Sequence, residues 1–245
     1  MSNAILEVEQ VSKRFGGVRA LNGVDLAVTA GGITGLIGPN GSGKTTLFDL
    51  VTGYLRPDAG RVRLEGREIT GLTPHQIAWR GIGRSFQEPR VFGRMTVWEN
   101  LMAPVADERD FAPFAPAGAR GRAARAEALL GRFPLAALRN APARVLSYGQ
   151  QKFLQLAILL MRGARLLLLD EPTAGIHPTL AAQFAEHLRG LAAEGATILL
   201  VEHNVPFVLG LCHRVAVLHH GEKIAEGTPA EIRADRRVLA VYLEG

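Results

Sequence analysis

An α/β fold built on a mostly parallel sheet is what this sequence predicts, and three observations predict it. The apolar run Ile33–Ile37 enters a glycine-rich turn and leaves it as an apolar-periodic helix, the strand-loop-helix order of a parallel α/β unit. The second half of the chain alternates short apolar runs with longer helical segments, as in a sheet covered on both faces by helices. Residues 1–30 instead alternate apolar and polar, which suits an antiparallel pair with one face on a core.

Taken in order, Leu6-Glu7-Val8-Glu9 and Val24–Val28 form that pair, broken by Phe15-Gly16-Gly17, with its turn near the glycine-rich loop. Ile33–Ile37 follows as a buried strand, then the helix continuing through Thr46–Val51. Gly60–Gly66 is a further short strand followed by a turn, and the strand Ile82–Phe86 leads to Gln87. From about Met95 to Arg144 the composition shifts. Glu99–Ala103 and Arg122–Gly131 have helical character, while Ala112–Gly118 carries too many Pro and Gly breakers for regular structure. The remaining elements are helix Gly149–Arg162, strand Leu166–Asp170, helix Pro178–Ala193, strand Thr197–Glu202, helix Pro206–Leu211 and strand Arg214–Leu218. The organisation expected is one domain over residues 1–245, with a core of about 1–94 and 145–245 and a helical insertion of about 95–144.

Composition narrows the class. At 245 residues the chain buries a sizeable core. Its longest apolar stretches, Phe153–Met161 and Ile198–Val201, are too short to span a bilayer, and neither terminus has a signal-peptide pattern, so a cytoplasmic protein is expected. The single cysteine, Cys212, excludes an internal disulfide and sits in an apolar context that suits a packed core residue. The net charge of +5 comes from scattered Arg rather than a basic stripe, which argues against nucleic acid as a partner. The one cluster, Arg120–Arg125, reads as a solvated helix face.

Gly38-Pro39-Asn40-Gly41-Ser42-Gly43-Lys44-Thr45 fits a phosphate-binding loop and stands where a strand hands over to a helix. Glycines there let backbone N–H groups face phosphate oxygens at the positive end of a helix, with Thr46 in its first turn. Lys44 adds a charge, and the Thr45 hydroxyl is placed to ligate Mg²⁺. A nucleoside triphosphate is the ligand this chemistry suits. Leu166–Asp170 is an apolar strand ending in a carboxylate suited to the metal, and Glu171 at the strand's end can activate water. A solvated Asp-Glu turn is the plainer alternative.

Leu146-Ser147-Tyr148-Gly149-Gln150 lies shortly before Asp170-Glu171, and Glu202-His203 follows. Phosphate loop, Gln87 after a strand, this LSxGQ-type signature, the Asp-Glu strand and His203, in that order over nearly the whole chain, resemble the ATP-binding cassette transporter ATPases. Within them the chain is similar to the branched-chain (hydrophobic) amino-acid importer ATPases, through Phe15–Leu21, Ser85-Phe86-Gln87, Tyr148, Asp170–Gly175, Ala225–Ile232 and Val241-Tyr242-Leu243.

The resemblance implies roles. Phe15 stacks on adenine, where a core aromatic is the alternative. Gln87 reaches Mg²⁺ and the attacking water, where a surface residue is the alternative. His203 contacts the γ-phosphate, where a packed or turn histidine is the alternative. Ser147, Gly149 and Gln150 cover the nucleotide of a partner subunit, so the working unit is a homodimer or a heterodimer with a related ATPase. Ser147 also reads as the N-cap of its helix. ATP and Mg²⁺ are the implied cofactors, separate transmembrane permeases the implied partners with a solute-binding protein behind them, and the inner face of the membrane the implied location. Hydrophobic amino-acid uptake is the implied activity. An exporter ATPase, as in lipopolysaccharide transport, and a non-transport cassette ATPase stand as alternatives. The chain departs from the family pattern at Ile158, where an Arg is usual, at His177, where Asp or Asn is usual, at Asn204, where Asp is usual, and in the 95–144 insertion.

Overall fold

The structure is a computed structural model that describes residues 4–103 and 118–243. β1 (Ala4–Phe15) and β2 (Val18–Thr29) pair antiparallel and turn at Gly16-Gly17. β4 (Ala59–Leu64) adds to the other edge of β1, and β5 (Arg67–Glu68) folds back on β4, giving the order β2-β1-β4-β5.

A second sheet carries β3 (Ile33–Ile37), β6 (Ile82–Arg84), β7 (Leu166–Asp170), β8 (Thr197–Val201), β9 (Arg214–His219) and β10 (Glu222–Gly227). Their order is β10-β9-β3-β8-β7-β6, and every pair is parallel except the β9-β10 hairpin. Every residue of β3, β7 and β8 is buried, which explains their unbroken apolar runs: both faces are covered. Alternation along each strand then sends side chains to two different cores. Leu166, Leu168, Leu199 and Val201 join Leu47 and Phe48 of α1 (Lys44–Val51) and the inner face of the antiparallel sheet. Leu167, Leu169, Ile198 and Leu200 join Phe153, Leu156 and Ala157 of α5 (Tyr148–Met161) and Phe184 and Leu188 of α6 (Pro178–Ala193). Each such fully buried Leu or Phe contributes roughly 1.5–3 kcal/mol.

The expected helices in the 95–144 span are α3 (Val97–Met102) and α4 (Gly118–Arg132), both packed on α5. Of the irregular stretch Ala112–Gly118, residues 112–117 lie outside the described residues and Gly118 opens α4. Arg125 departs from the solvated reading of its cluster: its guanidinium is partly buried and donates to the Leu160 carbonyl of α5. The expected strand Ile82–Phe86 ends two residues early at Arg84, because Ser85 turns its hydroxyl to accept from the Asp170 N–H. α2 (Pro74–Trp79), α7 (Val205–Leu211), α8 (Pro229–Ala234) and α9 (Arg236–Leu243) complete the fold. Cys212 is buried as expected, and burial pushes its thiol up to about 12. No helix among the described residues is long and apolar enough to cross a membrane.

Candidate functional site

The glycine loop between β3 and α1 borders an open cleft of about 380 Å³. Its wall brings together Phe15, Asn40, Gly41, Lys44, Glu171 and His203, with Gly43, Thr45 and Thr46 beside them. Residues widely spaced in the chain converge here because β3, β8 and β7 are adjacent and parallel, so the turns after all three strands open at the same end. Phe15 reaches the rim from the β1-β2 turn, 47% exposed, with Lys13 Nζ 5.8 Å from its ring centroid.

Lys44 is 5% exposed, and its Nζ donates to the Gly38 and Pro39 carbonyls at 2.8 Å each. Desolvation pushes its pKa down, while the charges of Glu171 and Asp170 oppose that shift. The ammonium therefore stands within its own loop, facing acceptors that phosphate oxygens can replace. Ser42 is buried and its carbonyl accepts from Gly221 of the β9-β10 turn, which ties the loop to the sheet edge.

Glu171 adopts φ +45°, a left-handed conformation rare outside glycine. That turn swings its carboxylate out of the strand and into the cleft. There Oε1 stands 2.5 Å from His203 Nε2, and Oε2 accepts from Gln87 Nε2 at 2.9 Å. Two residues from two other loops, His203 and Gln87, thus meet around the Glu171 carboxylate. The Gln87 carbonyl accepts from the Tyr148 hydroxyl at 2.9 Å, and the Glu171 carbonyl accepts from Lys152 Nζ at 2.8 Å.

Asp170 does not line the cleft wall; its carboxylate pairs with Arg84 at 3.3 Å. Burial raises its pKa, and the Arg84 charge and hydrogen bond pull the other way. Arg84 also holds Asp49 at 2.5 Å and donates to Thr52 Oγ1 at 3.0 Å, under the rings of Phe86, Tyr54 and Phe48. Neither Arg84 nor Lys152 was among the sequence-derived candidates. No local pattern marks either one, since Arg84 precedes Ser85 and Lys152 follows Gln150-Gln151; only burial in the assembled fold obliges each cation to find a partner. Replacing Arg84 by Met strands two carboxylates, so unfolding stability is expected to fall by about 3 kcal/mol. The midpoint of urea unfolding measures it; a change below about 1 kcal/mol would place the cluster among exposed pairs.

Ser147, Gly149 and Gln150 do not line this cleft. Ser147 caps α5 as expected: its Oγ accepts from Gln150 N–H, and the Gln150 side chain accepts from Ser147 N–H in return. His177 caps α6 through Nδ1, which accepts from Thr179 N–H at 3.3 Å, and Asn204 caps α7. The departures at these two positions therefore leave helix capping intact. Ile158 packs at the edge of the core.

Among the described residues no His, Cys, Asp and Glu group forms a ready-made metal cluster. The oxygen donors that are present, the exposed Thr45 hydroxyl and the Arg84-held Asp170 carboxylate, are of the hard type that suits Mg²⁺ and leaves most of its shell to water and phosphate. A parallel α/β sheet with a cationic glycine loop after β3 and a carboxylate at the same end of β7, one strand away across β8, defines a nucleotide-hydrolysing domain.

Comparison with known proteins agrees. Residues 21–174 match the ABC transporter family, and residues 222–243 match a C-terminal segment described as branched-chain amino acid ATP-binding cassette transporter. The chain is 39% identical to the high-affinity branched-chain amino acid transport ATP-binding protein BraF of Pseudomonas aeruginosa, covering 99% of each. It is also 35% identical to the lipopolysaccharide export system ATP-binding protein LptB of Haemophilus influenzae, covering 98% of this chain and 97% of that one. The crystal structure of an ABC transporter cassette in its ADP conformation superposes with a TM-score of 0.87 at 34% identity, over 99% of both chains. The chain belongs to the ABC transporter family and is an ATP-hydrolysing subunit of a transporter.

Proposed function

We propose that this subunit powers import of a branched-chain or other hydrophobic amino acid through separate permease subunits, on the cytoplasmic face of the membrane. The whole chain forms a single cassette, with residues of about 95–144 as its helical insertion. The observation that carries the chemistry is the convergence of Lys44, Thr45, Glu171 and His203 on one cleft, with Gln87 hydrogen-bonded to the Glu171 carboxylate. The 222–243 match and the BraF similarity support the amino-acid branch.

In this reading Phe15 stacks on adenine, and the N–H groups from Gly38 to Thr46 with Lys44 hold the phosphates. Bound Mg²⁺ would supply charge neutralisation at the phosphates, with Thr45, Gln87 and Asp170 as its holders. Glu171 accepts the proton of the attacking water, and His203 and Gln87 orient Glu171 and the γ-phosphate. Ser147, Gly149 and Gln150, which do not line their own cleft, complete the site of a second ATPase subunit, whether identical or related.

A groove between α2, β6 and α5, lined by apolar Tyr54, Ile77, Phe86 and Leu159 and by the cations Arg84 and Arg162, offers a permease segment a mixed seat beside the Gln87 loop. A solute-binding protein acts upstream of the permease. The LptB similarity keeps an export reading open as the second one.

The test is affinity purification from native membranes, then reconstitution of the recovered complex in liposomes. ATP-dependent uptake of leucine, isoleucine or valine is the result expected. Outward extraction of lipopolysaccharide would overturn import in favour of export, and recovery of no membrane subunit would overturn both.

A further inference from the structure

Lys152 lies one turn into α5 and is 3% exposed. A buried ammonium is costly, and a Met of similar length would fill the same space without that cost. Here its Nζ donates to the main-chain carbonyl of Glu171 at 2.8 Å. Glu171 needs such a hold. Its φ of +45° is a conformation that persists only where surrounding contacts over-determine it. Its N–H donates to the Val201 carbonyl, its carbonyl also accepts from Ala174 N–H, and Lys152 supplies a charged donor to that same carbonyl.

Tyr148 stands four residues earlier on the same helical face. Its hydroxyl donates to the Gln87 carbonyl, Lys152 Nζ lies 5.3 Å from its ring centroid, and the ring packs on Gly175 in the loop after Glu171. The first turns of α5 therefore grip two of the three loops that meet at the catalytic carboxylate, that of Gln87 and that of Glu171 itself. The same turns begin at Ser147 and are locked to α6, because Gly149 packs directly against Leu180.

We propose that Lys152, with Tyr148, is a positioning pair that transmits engagement of Ser147 at a partner's nucleotide to the placement of Glu171 and Gln87 in its own subunit. This rests on the reading that Ser147 completes a partner's site. One rigid helix end then makes each cleft competent only when the opposite nucleotide is in place, and the coupling runs through main-chain carbonyls, not through the reacting side chains.

The test uses the full chain and four variants. K152M removes the donor at nearly constant volume, K152R restores a charged donor, Y148F removes only the hydroxyl, and E171Q is compared with E171Q/K152M for ATP-dependent dimerisation by sedimentation. K152M is expected to lower kcat about tenfold to a hundredfold with KM for ATP within about twofold, since the phosphate loop is untouched. K152R should recover most of that loss, Y148F should fall in between, and dependence on ATP concentration should lose its cooperativity in K152M. E171Q/K152M should still dimerise with ATP. Wild-type kcat in K152M, with E171Q dimerising, would overturn the coupling role and leave the dimer reading standing. Equal losses in K152M and K152R that track a fall in thermal midpoint would reduce Lys152 to a packing role and overturn the proposal. Absence of an ATP-dependent dimer in E171Q would remove the dimer reading, and the proposal with it.

Discussion

Glu171→Gln is expected to reduce ATP turnover about a thousandfold while ATP binding survives. The amide keeps the size of the carboxylate and its place between His203 and Gln87, so the cleft retains its shape. What is lost is the base. A neutral amide cannot take the proton of the attacking water, and general-base assistance is the contribution removed. The change also deletes a negative charge beside the position a γ-phosphate would occupy, which favours rather than weakens the triphosphate state. Bound ATP should then persist between two subunits, and an ATP-dependent dimer should accumulate during size-exclusion chromatography. Turnover within about threefold of wild type would remove Glu171 from its role, because a solvated carboxylate contributes no such factor. If turnover collapses and no dimer forms, the base assignment stands while trans completion by Ser147 fails.

The parts of this site that were legible in the sequence share one property: their chemistry is local. The loop from Gly38 to Thr45 declares its conformation through glycine spacing, and Ser147 declares its cap through Gln150 three residues on. β3, β7 and β8 were legible because burial on both faces demands an unbroken apolar run. Other features depend on pairings across long separations and leave no local pattern. Arg84 bridges Asp49 and Asp170, and Lys152 reaches Glu171; each looks like an ordinary cation until the strands are assembled. α2 and α8, at six residues each, are too short to establish a 3.6-residue period, and β10 is an edge strand whose partial burial blurs its alternation. The left-handed turn at Glu171 was also invisible, yet it decides that the carboxylate faces the cleft.

Gly43→Ala is expected to cost about 2–4 kcal/mol of stability and to abolish measurable nucleotide binding. Gly43 is the N-cap position of α1 and sits at φ +105°, where an L side chain is strained before any neighbour is considered. Space makes it worse. A Cβ there would stand 2.6 Å from the Ala20 carbonyl oxygen and 2.7 Å from Leu21 Cδ2, and the first of these is backbone that cannot rotate away. Relief requires the loop to move off β2, taking with it the Asn40–Thr45 backbone that borders the cleft. Gly195→Ala provides the control. That residue has a similar φ of +95°, but no heavy atom lies within 4 Å of its Cβ position, and it stands in the α6-β8 turn away from the cleft. It should therefore lose only the conformational part, about 1–2 kcal/mol, and bind ATP as the wild type does. Urea unfolding and titration with a fluorescent ATP analogue separate the two effects. Equal losses of stability in both variants, with nucleotide affinity retained in Gly43→Ala, would show that the loop yields to the clash and that its contact with β2 does not set the phosphate site.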